Sequence, residues 1–312
     1  MLPFAVQRNE NVFSYQQPLL LIGSCFSDEI AKKVVNAGFT IESNPLGTIF
    51  HPLPIARFLE NCSTNRMFPA NHLIEKNGLF SSWESSTKIE FSKVEELEYY
   101  LEQVKDKWNN LLSTASHLFI TFGTAWGYHI EDYGIVANCH KFPSADFEKC
   151  LTSADEITAV YHPLFERLHD RFPELNIVLT VSPVRHVRDG LIQNNRSKAE
   201  LIRAAHELVS RFSFVNYFPS YELLIDVLRD YRFYDRDRVH PSEEAIDFVW
   251  EQLLSSFTTD ETRKMVDKVE RFRKMEQHRL QTSDPSKIED WEKRLAAERQ
   301  LLFSAISGLK LN

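Results

Sequence analysis

The chain has 312 residues, 43% apolar and 26% charged, and its 36 Lys and Arg against 44 Asp and Glu leave a net charge of −8. That composition can build a sizeable core, which excludes wholesale disorder, and the acidic balance argues against a nucleic-acid partner, which needs a basic face. No apolar run approaches the roughly 20 residues of a bilayer span, and four cysteines, Cys25, Cys62, Cys139 and Cys150, are too few for a disulfide scaffold.

The start, "MLPFAVQRNENVF", lacks a basic segment followed by an apolar run, so no signal peptide is expected and the chain is assigned to the cytoplasm, where thiols stay free. Pro18–Ile22 reads as a buried strand that stops at Gly23. Ser24, Cys25 and Ser27 follow, and a helix over Asp28–Ala37 ends at Gly38, a natural C-cap. Phe39–Ile41 is the second strand. Residues 70–92 read as a β-hairpin around "EKNGLF", and Lys93–Ser113 as a helix.

Leu118–Phe122 is the third strand, and residues 128–140 read as a second hairpin around "EDYG". Asp155–Phe172 is an amphipathic helix and Ile177–Val181 the fourth strand. A polar loop then leads into a helix over Ser197–Phe212, with Asn195 and Ser197 at its start as ordinary caps. Phe214–Tyr217 is the fifth strand. From Thr258 the composition changes to charged helices split by "TSDPS", whose proline cannot sit inside a helix.

This alternation predicts parallel strands with crossover helices, a three-layer α/β/α sandwich. Residues 1–257 form the α/β domain with hairpin insertions near 70–92 and 128–140. Residues 258–312 form a C-terminal helical hairpin, packed on that domain or on a partner.

Two stretches carry chemistry. A strand that feeds a helix through a glycine is a place to mount a nucleophile, and "IGSCFS" offers three. Far along the chain, "YDRDRVHPSEEAIDFVWEQLL" sets Asp237 three residues before His240, with Pro241 next and a helix beginning near Ser242. An Asp so placed can hold the ring nitrogen that faces away from a nucleophile, fixing the tautomer of a general base. Alone, such a pair also suits a surface histidine at a polar helix start. In "NCHK", Cys139 and His140 are neighbours on a strand and point to opposite faces, so they make no dyad. Zinc-site spacings are absent, and neither a metal nor a cofactor is expected. Asn138 and His140 share a face and read as pocket lining. In "LTVSPVRH", Ser182, Pro183, Arg185 and His186 emerge after the fourth strand. Arg185 reads either as a holder of an anionic substrate group or as a turn with surface charge.

Together the two stretches resemble the SGNH (GDSL-type) hydrolase superfamily, and "GSCFS" resembles more narrowly the GSCFA domain family, over roughly residues 18–255. The resemblance implies a five-stranded sheet in flavodoxin-like order and places Gly23, Ser24 and Cys25 on the superfamily's first block. Cys25 then stands at the nucleophile position, Ser24 stands where an Asp is usual and steadies the turn, and Ser27 caps the helix. Gly47 in "NPLGTIFHP" takes the place of the glycine whose N–H binds the oxyanion. Gly123 matches the third block, but Ala125 stands where the oxyanion Asn belongs, leaving Thr124 or Asn138 to supply that hydrogen bond. Asp237 and His240 match the last block.

What the resemblance implies is hydrolysis or acyl transfer on a small-molecule or carbohydrate ester or thioester, with Cys25 attacking, His240 moving the proton and Asp237 orienting it. At a helix N-terminus beside His, the thiolate is expected to be favoured. Ala125 favours an alternative, a catalytically impaired module that binds a carbohydrate or acylated ligand. Cys25 could also be a small buried residue that only packs the turn. A third reading makes the chain a scaffold whose C-terminal helices recruit a partner or form a homo-oligomer.

Overall fold

The computed structural model describes residues 4–278 and 284–311. The chain runs from β1 (Leu19–Gly23) into α1 (Cys25–Asn36), then β2 (Ile41–Ser43) and α2 (Pro52–Thr64). The hairpin β3 (Leu73–Lys76) and β4 (Leu79–Ser82) precedes α3 (Val94–Leu112) and β5 (His117–Phe122). Next come β6 (Trp126–Ile130), β7 (Gly134–Ile135) and β8 (Glu148–Leu151), followed by α4 (Ala154–Arg171) and β9 (Asn176–Val181). The last part holds α5 (Gly190–Arg211), β10 (Val215–Tyr217), the single turn α6 (Ser220–Glu222), α7 (Glu243–Phe257), α8 (Asp260–Gln277) and α9 (Pro285–Ala305).

The strands β10, β9, β5, β1 and β2 lie in that order in one wholly parallel sheet. This is the flavodoxin-like arrangement expected from the sequence. Burial on both faces explains why β1 reads as an unbroken apolar run. Leu20 and Ile22 enter one core with residues of α2, α3, α4 and α5. Leu19 and Leu21, two-residue alternates, enter the other with α1, α7, α8 and α9. Val266, Val269 and Phe272 of α8 and Leu302 of α9 belong to that second core. Lys310 N–H donates to the Gly38 carbonyl, so the last described residues lie against the end of α1.

Several elements differ from the sequence reading. α1 begins at Cys25 where the helix is expected from Asp28, and β2 covers Ile41–Ser43 where Phe39–Ile41 is expected. α5 starts at Gly190, seven residues before Ser197, and within it Asn194 Oδ1 accepts the His186 N–H at 2.9 Å. α2 is an addition; it starts on Pro52, in a first turn where a missing N–H costs nothing. The second hairpin carries a third strand, β8, paired antiparallel to β6. The first hairpin is as expected, with Asn77 and Gly78 both at positive φ in its two-residue turn. The break at "TSDPS" lies partly outside the described residues, and Pro285 opens α9. Among the described residues no helix is long and apolar enough to cross a membrane.

Two buried histidines tie the layers. His51 Nδ1 accepts the Leu53 N–H at the start of α2, which leaves Nε2–H for the Ala125 carbonyl and Thr152 Oγ1 at 3.3 and 3.1 Å. His117 Nε2 donates to the Asn11 carbonyl at 3.2 Å. Burial holds both rings neutral, pushing each from 6.5 to about 4. The unfolded chain therefore takes up protons that the folded protein refuses between those values. Stability is full above pH 6.5 and is lost as pH falls toward 4, by up to about 3 kcal/mol per ring. Urea midpoints measured from pH 7 to pH 4.5 should fall steadily, and His51→Gln should flatten that slope. An unchanged slope in the variant would remove His51 from the account.

Candidate functional site

β1 ends where the chain is most crowded. Gly23 has φ +140°, and a Cβ there would sit 2.2 Å from the Thr121 carbonyl oxygen of the neighbouring β5. Only glycine permits that approach. Ser24 N–H donates to the same oxygen at 3.2 Å, and α1 begins at once with Cys25. The Gly23 N–H is taken by Asn44 Oδ1 at 2.8 Å. Asn44 Nδ2 in turn donates to Asp28 Oδ1 at 2.6 Å, and Thr48 Oγ1 donates to Asp28 Oδ2 at 2.9 Å. This ring of bonds fastens the β1–α1 turn to the loop after β2. Cys25 therefore stands at the C-terminal edge of the sheet between β1 and β5, the topological switch point where open α/β sheets bind ligands.

Cys25 is half-buried and borders two cavities. One, of about 430 Å³, is lined by Val184, Asp235, His240 and Pro241 among others. The other, of about 390 Å³, is lined by Asp28, Asn44, Gly47, Thr48 and Lys88 among others. Burial pushes the Cys25 thiol up, and Asp28 adds to the shift. The backbone N–H groups of Cys25 and Phe26 and the charge of Lys198 pull the other way without cancelling it. The sequence expectation of a favoured thiolate is thus corrected: the helix N-terminus acts as expected, but desolvation outweighs it, and the resting group is a thiol.

Asp237 and His240 sit in an exposed loop that leads into α7. His240 Nδ1 is 2.6 Å from Asp237 Oδ2, while Asp237 Oδ1 accepts the N–H of Val239 at 2.8 Å and of His240 at 3.0 Å. These bonds hold the Asp237 carboxyl down at about 2, the His240 side chain contributing most. One carboxylate thus shapes the loop and fixes the ring. Ser242 caps α7 immediately afterwards, accepting the Ala245 N–H. His240 and Cys25 line one cavity with no hydrogen bond between them among the described residues.

The groups expected to complete an oxyanion site are otherwise engaged. Gly47 N–H donates to the Asn44 carbonyl at 2.8 Å; the residue is glycine because φ is +75° and a Cβ would meet Ser86 Oγ at 2.0 Å. Thr124 Oγ1 accepts the Trp126 N–H and lies 3.1 Å from Ser197 Oγ, in a buried network. Asn138 Oδ1 takes the His140 N–H, and the His140 ring reaches Ser81 Oγ and the Ser85 carbonyl. Neither residue lines the cavities at Cys25. Arg185 lies 4.3 Å over the Tyr234 ring and donates weakly to the Arg238 carbonyl at 3.4 Å, tying the loop after β9 to the His240 loop. Ser24 is the N-cap of α1, yet its buried Oγ has no hydrogen-bond partner among the described residues, so its hydroxyl does not steady the turn as expected. Ser27 lies inside the first turn of α1 and does not cap it. Thr48 N–H, by contrast, borders the second cavity and meets no acceptor among the described residues.

Sequence reasoning missed several neighbours of Cys25. Ser197, expected as a cap, is buried within α5 and accepts the Ala125 N–H at 2.7 Å. Lys198 beside it is wholly buried, and its Nζ donates to the Gly123 and Ser182 carbonyls at 2.7 and 2.6 Å. Burial pushes Lys198 down to about 7, while the charge of Cys25 pulls it up. His186 is held down at about 4, chiefly by burial, with Lys198 and His240 adding to the shift. Asn44, which anchors the turn, carries no sequence signal beyond that of an ordinary polar turn residue. Among the described residues no group of three His, Cys, Asp or Glu is placed to hold a metal ion.

A model of the GSCFA family matches residues 18–253. No curated protein matches the chain. Among solved structures, a carbohydrate esterase family 3 protein from Talaromyces cellulolyticus aligns at 8% identity and a TM-score of 0.37, over 82% of this chain and 99% of its own. A putative platelet activating factor from Streptococcus pneumonia aligns at 12% identity and 0.40, over 78% and 85%. A mutant acetyl esterase with acetate ion aligns at 9% identity and 0.37, over 82% and 99%.

The Asn44 bridge gives a direct test of how the turn is held. Asn44→Ala leaves the Gly23 N–H without its acceptor and Asp28 without a donor, and should lower stability by about 1–3 kcal/mol. Urea denaturation measures this, and an unchanged midpoint would show that the bridge does not hold the turn.

Proposed function

The chain belongs to the GSCFA family, and on that premise we propose that it is an SGNH-type hydrolase or acyltransferase that works on an ester or thioester through Cys25, His240 and Asp237. The observation that carries the reading is the Asp237–His240 hydrogen bond at 2.6 Å, in a loop that opens on the same cavity as a thiol at a helix N-terminus. A thiol that rests protonated needs a base to attack, and an imidazole with Nδ1 held by a carboxylate has its Nε2 left for that task.

In the proposed cycle His240 Nε2 takes the Cys25 proton as sulfur bonds to the acyl carbon. The carbonyl oxygen becomes an oxyanion, which the free N–H groups at the start of α1 and of Thr48 can meet. The intermediate collapses with loss of the C–O or C–S bond, and His240 passes its proton to the departing alcohol or thiol. A thioester on Cys25 remains. Water, or an acceptor hydroxyl, then gives its proton to His240 and attacks the thioester. Collapse releases the acid or the new ester, and the proton returns to sulfur. The two cavities on either side of Cys25 suit an acyl group in one and an alcohol moiety in the other. Small-molecule and carbohydrate esters are the substrate class to test.

The engaged Gly47 and Thr124 and the raised thiol favour a second reading, a module that binds an acylated ligand without turning it over. Short-chain aryl esters and thioesters separate the two. Turnover should appear in the native protein and fall by at least about 10³-fold in Cys25→Ala and His240→Ala. Intact mass should show an acyl adduct that Cys25→Ala lacks. Equal activity in all three proteins would remove the Cys–His mechanism, and binding without turnover or adduct would establish the second reading.

A further inference from the structure

Lys198 is a buried charged group, beside the Cys25 turn, that the proposed cycle leaves unused. It is 2% exposed, and its Nζ is held by two backbone carbonyls, Gly123 at the end of β5 and Ser182 at the end of β9. Among the described residues no carboxylate pairs with it. A buried ammonium without a counter-charge is expensive, and such groups persist where an anion is to be met. Lys198 acts on His186 and on Cys25, and with Cys25 the interaction runs in both directions, each favouring the charged form of the other. The preceding residue, Ser197, takes the Ala125 N–H. A pair of neighbours on α5 therefore holds the third-block segment, Gly123 to Ala125, from below.

The geometry points to Lys198 as a positioning residue for Cys25: it fixes the ends of β5 and β9 beside the nucleophile turn and places a buried positive charge that favours an anion on sulfur or on the acyl oxygen it attacks. Lys198 thereby supplies, from α5, the electrostatic help that a side chain at Ala125 cannot give. The surrounding groups set the balance. Asp28 on α1 opposes the anion, as burial does, and the N–H groups of Cys25 and Phe26 support it. From the loop after β9, His186 feels the charges of Lys198, Asp189 and His240, and in the loop before α7 Asp237 holds His240. From α6 the Tyr221 ring lies 6.0 Å from Lys198 Nζ. Of these, Lys198 is the amine sealed from water, where its charge is screened least when it is protonated. An anion at Cys25 in turn favours the protonated form of Lys198.

The inference rests on Cys25 being the nucleophile, but its test needs no ester. Iodoacetamide labelling of each cysteine, read by peptide mass spectrometry across pH, reports the thiolate fraction, since the thiolate displaces iodide. In Lys198→Met and in Lys198→Gln, which keeps hydrogen-bond donors but no charge, labelling of Cys25 at pH 7 should slow about tenfold, its midpoint rising by about one pH unit. Cys139 and Cys150 should label as before, and buried Cys62 should stay unlabelled in any variant that is folded. Wild-type Cys25 reactivity in either folded variant overturns the proposal, because the lysine would then serve only as scaffold. Should both variants unfold, the native chain decides. Carboxymethylation of Cys25 with iodoacetate adds an anion, and carbamidomethylation with iodoacetamide adds none. The Lys198 Nζ titration, followed by nitrogen NMR, should lie higher in the carboxymethyl protein, and identical titrations overturn the proposal. A protein that passes these tests yet turns over no ester rejects the esterase reading alone.

Discussion

The site depends on one close backbone crossing. β1 ends in the middle of a parallel sheet, and its last residue lies against the Thr121 carbonyl with no room for a side chain. Because Gly23 turns there, helix α1 starts one residue after Ser24 instead of after a loop. That places the unpaired N–H groups of the first helical turn at the sheet edge, beside the sulfur of Cys25. The neighbours conform to the same crowding. A Cβ on Gly123 would lie 3.1 Å from Ser24 Cβ and 3.0 Å from the Phe50 carbonyl, so small residues are required on both sides of the turn. Ser24 serves through its size, which accounts for a hydroxyl that meets no partner among the described residues.

The same scaffold creates an electrostatic conflict. Asp28 is needed as an acceptor, since it gathers Asn44 and Thr48 and so joins the turn to the loop after β2. Its charge, one helical turn from Cys25, makes the thiolate harder to form. Burial adds to that penalty, and the helix N–H groups only partly oppose it. On the proposed reading, Cys25 therefore relies on the buried Lys198 of α5 and on the imidazole in the His240 loop.

The sequence revealed most where the cause is local. β1, β5 and β9 are read correctly because strands buried on both faces are apolar at every position, and the Asn77–Gly78 hairpin because its turn demands positive φ. Asp237 and His240 were legible for the same reason: their bond spans three residues and is made within one loop. Errors came where a distant segment decides. "NNRS" looks like a loop until Asn194 is seen to serve the backbone of His186. Lys198 looks like the solvated face of an amphipathic helix, because nothing in α5 reveals that two strand ends will bury it. The resemblance gives Gly47 as an oxyanion donor, but its N–H is taken by Asn44, and the residue is glycine because of its positive φ and the approach of Ser86. The thiol of Cys25 was misjudged because a helix dipole can be read from position, whereas desolvation depends on everything packed around it.

The two supports of Cys25 differ in their access to water, and that difference assigns their work. The Asp237–His240 pair is about half exposed, each side chain at 49%, so its ring can exchange protons with solvent or with a bound alcohol. Lys198 is sealed, with Nζ on two carbonyls, and a proton released there would have to cross packed protein. A catalytic cycle must deliver a proton to the leaving group and take one from the incoming nucleophile. The exposed pair is open to such traffic. In the proposed cycle the buried lysine answers the charge at Cys25, and the exposed histidine carries the proton. A single turn between β1 and α1, closed by Gly23, sets the sulfur on the cavity that His240 also lines.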